Sequence, residues 1–184
     1  MKFNFITIAI FNLLIFSCST SYDTKLISKQ SIGLLTDSTQ VKDLESIFPD
    51  DSIVKFTKKN RFNTANRNIE IYKKSGEKLL TLTPKKLKDS LTTIKLIEIN
   101  SNTFKTNRGL HLKSTYKILK ENYKISSIQN SLKNIIISVD EINSFFTIDK
   151  NDLPAELRFD MTLKIEAIQI PEDAKITGFY IQWL

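Results

Sequence analysis

The sequence predicts an α+β fold: two similar units, each a short helix followed by an antiparallel sheet, forming one compact domain. Three observations predict it. Apolar residues recur at helical spacing in only two short stretches. Strand-like runs bounded by turn residues follow each of them. The second series then repeats the first in the same order.

The chain opens MKFNFITIAIFNLLIFSCST. One cation, Lys2, precedes an apolar stretch from Phe3 to Phe16, shorter than the ~20 apolar residues a permanent membrane helix needs. It has the length of a secretory hydrophobic region. Leu14-Ile15-Phe16-Ser17-Cys18 resembles the lipobox of bacterial lipoproteins, although Phe16 is bulkier than its strict form prefers. The resemblance implies removal of residues 1–17 by cleavage between Ser17 and Cys18. It also implies a diacylglyceryl thioether on Cys18 and an acyl chain such as palmitate on the new amino terminus. One acyl chain anchors only marginally, whereas three hold essentially permanently. Ser19 after the cysteine resembles sorting to the outer membrane, and the absence of an acidic cluster behind it favours the periplasmic side.

Residues 18–27 read as a lipidated flexible tether reaching roughly 17 Å, and residues 28–184 as the globular domain, with half-units at about 28–102 and 103–184. In the first half, Ser31-Ile32-Gly33-Leu34 leads through Thr36-Asp37-Ser38-Thr39 to a helix on Val41, Leu44, Ile47 and Phe48. A Ser or Thr is available as its cap, and Pro49 stops it. In the second, Arg108-Gly109-Leu110-His111-Leu112 leads through Lys113-Ser114-Thr115 to a stripe of Tyr116, Leu119 and Tyr123. Strands are expected at 52–57, 68–72, 79–83 and 93–100, then at 125–129, 134–140, 145–149 and 163–170. Ile69-Ile71 maps on Ile135-Ile137 and Leu79-Leu80 on Phe145-Phe146, both 66 positions on. A last run, 175–184, alternates Ile176, Gly178, Tyr180 and Gln182 against Thr177, Phe179, Ile181 and Trp183.

Against these landmarks the chain resembles the RpoE-regulated lipoprotein family of bacterial envelopes. The carrying residues are Ser31 through Thr39, the strand pair around Ile69–Leu82 and the run Ile94–Tyr116 with Lys105-Thr106-Asn107-Arg108-Gly109-Leu110. The tail from Asp149-Lys150-Asn151-Asp152-Leu153-Pro154 to Trp183 completes them. The resemblance implies an outer-membrane lipoprotein linked to envelope homeostasis and carries no activity with it. Tandem helix-and-sheet units also look like the outer-membrane assembly lipoprotein fold and the secreted β-lactamase inhibitors, both protein binders; that is analogy of fold alone.

Composition narrows the function. The formal net charge is +7, but the cations are mostly Lys, which reads as a solvated surface, and an exported chain does not meet nucleic acid. Cys18 is the single cysteine, so the chain forms no internal disulfide. His111 is the single histidine and has no second histidine or cysteine to share a metal. The run from Asp149 to Glu156 lacks the Gly and closing Glu of a calcium loop. Asp152 reads there as a cap, with Pro154 in the first position of a short turn. The sharpest basic cluster is the loop carrying Lys58, Lys59, Arg61 and Arg67 around Phe62, a candidate contact for anionic head groups or an acidic partner. The sequence therefore predicts no catalytic residue, cofactor or metal. It favours a binding module partnered by the membrane through its lipid and by an envelope protein. The rival is an envelope hydrolase or small-ligand carrier with a cleft between the half-units. Replacing Cys18 by Ser is expected to shift the protein from the membrane pellet to the soluble fraction. Mass spectrometry of native protein is expected to show the acylated thioether, and an unmodified thiol would overturn the assignment.

Overall fold

The computed structural model describes residues 23–55, 68–86 and 89–183. Residues 1–17, Cys18 and the loop with Lys58, Lys59, Arg61 and Arg67 lie outside them. In chain order the elements are β1 (Leu26–Ile27), β2 (Ser31–Ile32), β3 (Leu35–Thr36), α1 (Leu44–Ile47), β4 (Asp51–Lys55), β5 (Ile69–Lys73), β6 (Lys78–Pro84) and β7 (Ile94–Ile99). Then follow β8 (Lys105–Thr106), α2 (Tyr116–Asn122), β9 (Ser127–Asn130), β10 (Asn134–Val139), β11 (Ser144–Asp149) and β12 (Ile176–Gln182), with short 3₁₀ turns between. Two sheets result: a small one ordered β3-β2-β1-β8 and an eight-stranded one ordered β4-β5-β6-β7-β12-β11-β10-β9.

The large sheet is two antiparallel meanders, β4 to β7 and β9 to β12, joined where their last strands pair. The halves match in detail. In the first, Thr83 faces Leu96 and Pro84 faces Ile94, a bulge with Lys95 as the extra residue. In the second, Thr147 faces Gly178 and Ile148 faces Ile176, with Thr177 as the extra residue. The bulges make Leu82 equivalent to Phe146, 64 positions on, and Glu98 equivalent to Tyr180, 82 positions on. Glu98 and Tyr180 face each other at the seam, so a pseudo-two-fold axis passes between them.

The helices obey the same symmetry 75 positions apart. Val41 and Lys42 donate their amides to Thr92 and Ser90, as Tyr116 and Lys117 do to Ala174 and Glu172. Leu44 and Leu119 are both fully buried, and each accepts the amide of the residue four on, Phe48 or Tyr123. The approach repeats too: Thr36 donates its amide to the Thr39 hydroxyl, as His111 does to the Ser114 hydroxyl. In the turn between β2 and β3, Gly33 sits at φ +56° against the Thr24 backbone, where a Cβ would lie 2.3 Å from its carbonyl oxygen.

One face of the large sheet is dry. Ile71, Leu80, Leu82, Ile97, Ile137, Phe146, Phe179 and Ile181 pack there beneath Leu35, Leu44, Leu110, Tyr116 and Leu119 from the helical and small-sheet layer. Phe146 and Phe179 meet at 4.6 Å between ring centres. The Tyr116 hydroxyl, whose ring is fully buried, donates to the Ala167 carbonyl at 3.0 Å, and Trp183 donates its indole N–H to the Lys29 carbonyl. These two buried polar groups thus find partners.

Several expectations shift. The ladders set the β5 to β10 equivalence at 68 positions and β6 to β11 at 64, not 66 throughout. The reason is that eight residues, 72–79, with a bulge and the Tyr72–Lys78 pair among them, lie beyond the Ile71–Leu80 pair, whereas four, 140–143, lie beyond its equivalent, Val139–Ser144. Residues 163–170 are not a strand: Glu166 and Gln169 form a capping box on a 3₁₀ turn, Pro171 follows, and Ile168 is 94% exposed. The fourth strand of the second half is β12, central rather than closing, and its bulge puts Ile176 in the core and Thr177 outside. Asp149 caps the turn at 150–152 in place of Asp152, which accepts the Lys175 amide, and Pro154 precedes rather than opens the next turn. At the first helix the capping position is Gln40, which makes no side-chain cap: the Lys42 amide bonds the Ser90 carbonyl and the Asp43 amide the Gln40 carbonyl.

The two helix starts should therefore respond differently. Thr115→Ala removes a hydroxyl that accepts the Ile118 amide and should cost about 1 kcal/mol. Gln40→Ala should change stability by less than about 0.5 kcal/mol. Urea denaturation of both variants measures the difference.

Candidate functional site

Among the described residues, no layer of helices covers the second face of the large sheet. Side chains alternate across a strand, and the register aligns one row over all eight: Val54, Glu70, Thr81, Glu98, Tyr180, Phe145, Ser138 and Ser127. The row is centred on the pseudo-two-fold axis, so Glu98 corresponds to Tyr180, Thr81 to Phe145 and Glu70 to Ser138. On the core face the equivalent positions stay apolar: Ile97 with Phe179, Leu82 with Phe146, Ile69 with Ile137. On the open face they differ in kind.

The first wing is ionic. Glu70 accepts from the Tyr72 hydroxyl at 2.7 Å and pairs with the Lys78 ammonium, its own side chain only 13% exposed. Burial by itself would raise the Glu70 carboxyl, but hydrogen bonds from Lys78 and Tyr72 and the Lys78 charge outweigh it and hold it below its ordinary value. The bond to Glu70, then burial, pushes the Tyr72 phenol up. Burial opposes the Lys78 charge, yet Glu70 lifts its affinity for the proton, and the charges of Tyr72 and Glu98 add to that. The Thr81 hydroxyl, facing the same way, donates to Asn100 at 2.7 Å.

The second wing is aromatic. Phe145 and Tyr180 stack with ring centres 4.7 Å apart and planes inclined by 10°. Gly178 makes room for them: a Cβ there would come within 2.5 Å of the Thr147 hydroxyl and 2.6 Å of the Tyr180 ring. Burial, then the charge of Glu98, pushes the Tyr180 phenol up. Beside Phe145 a shallow cavity of about 300 Å³ is lined by Ser138, Asp140, Asn143, Ser144 and Gln182. It is lined from β10, β11, the turn between them and the end of β12.

Other candidate residues take structural places. His111 is half-buried, with Nδ1 2.7 Å from the Leu112 carbonyl. Arg108 binds the Asn122 carbonyl at the end of α2, pairs with Glu141 and lies over the Tyr123 ring at 4.7 Å. It clasps a helix end to the β10–β11 turn. Asp160 in the acidic tail accepts from both the hydroxyl and the amide of Thr162, which hold its carboxyl below the ordinary range. Among the described residues no group of three or more His, Cys, Asp or Glu could hold a metal ion, and no helix is long and apolar enough to cross a membrane. Sequence reading passed over Glu70, Tyr72, Lys78, Glu98 and Phe145. The signal was the polar half of each strand alternation, which becomes meaningful only once the register shows these residues adjoining.

Glu70→Gln tests the ionic wing. The folded carboxyl is depressed, so its stabilisation is complete above the unfolded value and is lost as pH falls through the folded one. The variant should be about 1 kcal/mol less stable at neutral pH. The gap to the unsubstituted protein should close as pH falls below about 4.3, the ordinary Glu value. Denaturation midpoints across pH 3–7 read the convergence.

No protein-family model matches the chain, and none of the curated proteins does. Among solved structures the fold is similar to the crystal structure of the uncharacterized protein yfeY from Escherichia coli, with a TM-score of 0.55 and 13% sequence identity over 85% of this chain and 99% of that one. At that identity the likeness is one of fold alone.

Proposed function

We propose that the protein is a non-catalytic binding module of the bacterial envelope, a lipoprotein held through Cys18 to the outer membrane. In this proposal it belongs to the RpoE-regulated lipoprotein family, and the open face of its large sheet is the contact surface. One observation carries the reading: a symmetric frame keeps its core positions apolar in both halves while its open face diverges into an ionic wing and an aromatic wing. A packing role would ask the same of both faces. Binding asks for a surface whose chemistry varies by position, with aromatic groups offering area at small entropic cost. The likeness of fold to yfeY is consistent with the family and adds no activity.

The ligand-carrier alternative draws on the cavity beside Phe145. Its openness and its single carboxylate, Asp140, suit the rim of a contact surface better than a reaction chamber. A photo-cross-linking amino acid in place of Phe145, in cells expressing the full-length protein, separates the readings. It should give discrete protein adducts that are absent when the same group replaces the exposed Lys117. Identical patterns at both positions would overturn the contact surface.

A further inference from the structure

Among the described residues the largest departure from two-fold symmetry is an insertion. Nine residues, 85–93, separate the bulged strands of the first half, whereas 27, 149–175, separate those of the second. The inserted segment sorts its apolar side chains into two sets. Leu153, Leu157, Ile165 and Ile170 are buried and pin it to the body. Phe159 at 87% exposed, Met161 at 49%, Leu163 and Ile168 stand in solvent. They make up four of the nine exposed large hydrophobic residues described. A fifth, Leu132 in the β9–β10 turn, lies beside them, because the Asn130 amide group donates to the Asp160 carbonyl at 2.9 Å and the Leu163 carbonyl at 3.0 Å. Five of the nine exposed large hydrophobic residues described thus gather at one place, and such a contiguous display marks an interaction surface.

The position of the amino-terminal strand indicates what covers it. Leu26 pairs with Lys105, and the Lys25 ammonium lies 4.9 Å from the centre of the Phe104 ring. The Lys25 charge also acts on Glu77, at the tip of the β5–β6 hairpin, where the Ser101 hydroxyl donates to the same carboxylate. In the antiparallel register Glu98 faces Tyr180, so the end of β7 lies level with the start of β12, and Asn134 faces Asp149 at that same edge. The described chain therefore begins at the end of the sheet that carries the insertion. Four residues lie between Cys18 and Asp23, so five steps of ~3.3–3.6 Å give a reach of about 17 Å.

We propose that this end of the sheet rests on the lipid leaflet, with Phe159, Met161, Leu163 and Leu132 entering the boundary between head groups and acyl chains. The proposal depends on the lipid anchor at Cys18 proposed above. A bilayer is favoured over a protein partner because the anchor and its short tether bring this end to the membrane first. Cations also border the patch: Lys133 is exposed and makes no ion pair with another described residue, and Lys164 is exposed beside Glu166. Exposed apolar side chains bordered by these two lysines, with the carboxylates of Asp160 and Glu166 among them, suit the boundary between head groups and acyl chains.

The test uses lipidated full-length protein carrying Phe159→Cys, labelled with a fluorophore and reconstituted in phosphatidylethanolamine–phosphatidylglycerol vesicles. Acylation consumes the Cys18 thiol, so the label is specific. Asn143→Cys, at the opposite end of the sheet, is the control. Nitroxide-bearing lipids should quench the label at 159 at least twofold more than that at 143. Equal quenching in protein that sediments with the vesicles overturns the docking and leaves the anchor standing. Failure to sediment at all overturns the anchor, and the docking with it. Quenching at 159 that follows protein concentration and ignores the nitroxide lipid overturns the proposal in favour of self-association.

Discussion

Everything in this structure depends on the pairing of β7 with β12. Each meander alone would present an unpaired strand edge and a half-covered apolar face, a combination that invites aggregation. Joined at the Glu98–Tyr180 pair, the two become one continuous sheet whose dry face is wide enough for both helices and the small sheet to lie upon. The join is made of backbone hydrogen bonds flanked by Ile97, Ile99, Phe179 and Ile181, all essentially inaccessible to water. There the hydrophobic drive and the backbone's demand for partners act together.

The symmetry separates what the fold needs from what it leaves free. Equivalent bulges at Lys95 and Thr177 and equivalent helix starts on the 90–92 and 172–174 segments recur because they fix geometry. Hairpin length, the open-face residues and the 149–175 connection do not recur, because the frame tolerates change there. Loop length is thermodynamically cheap. The ionic and aromatic wings and the apolar insertion all occupy such permitted ground, so the proposed functions draw on features the core does not require.

Much of the frame was legible in the sequence. All eight strands of the large sheet fall where alternation and turn residues put them, beside one expected strand, 163–170, that does not form, and the two helix stripes and the pairing of their approaches hold. A strand period of two explains why the repeat was visible although its constant offset of 66 was not right: the true offsets, 68 and 64, keep every side chain on the same face. The errors have physical causes as well. Leu163 to Ile170 alternates as a strand would, but Pro171 and the capping box on Glu166 turn the chain. The bulge at Thr177 reverses the phase of β12 for one residue, which no local pattern announces. Open-face neighbours such as Glu70 and Lys78, or Phe145 and Tyr180, come together only through register, which is a property of pairs of strands.

A central strand that is also the last described strand in the chain sets the order of assembly. The first meander can form as soon as residues 51–99 are available, but β7 must then wait for a partner 82 positions further along. Until β12 arrives, half of the eventual core has nothing to lie against and the aromatic stack has no Tyr180. During synthesis the two halves therefore cannot pair until β12 is available. A chain stalled before residue 176 would carry an exposed strand edge that holding factors and proteases can recognise.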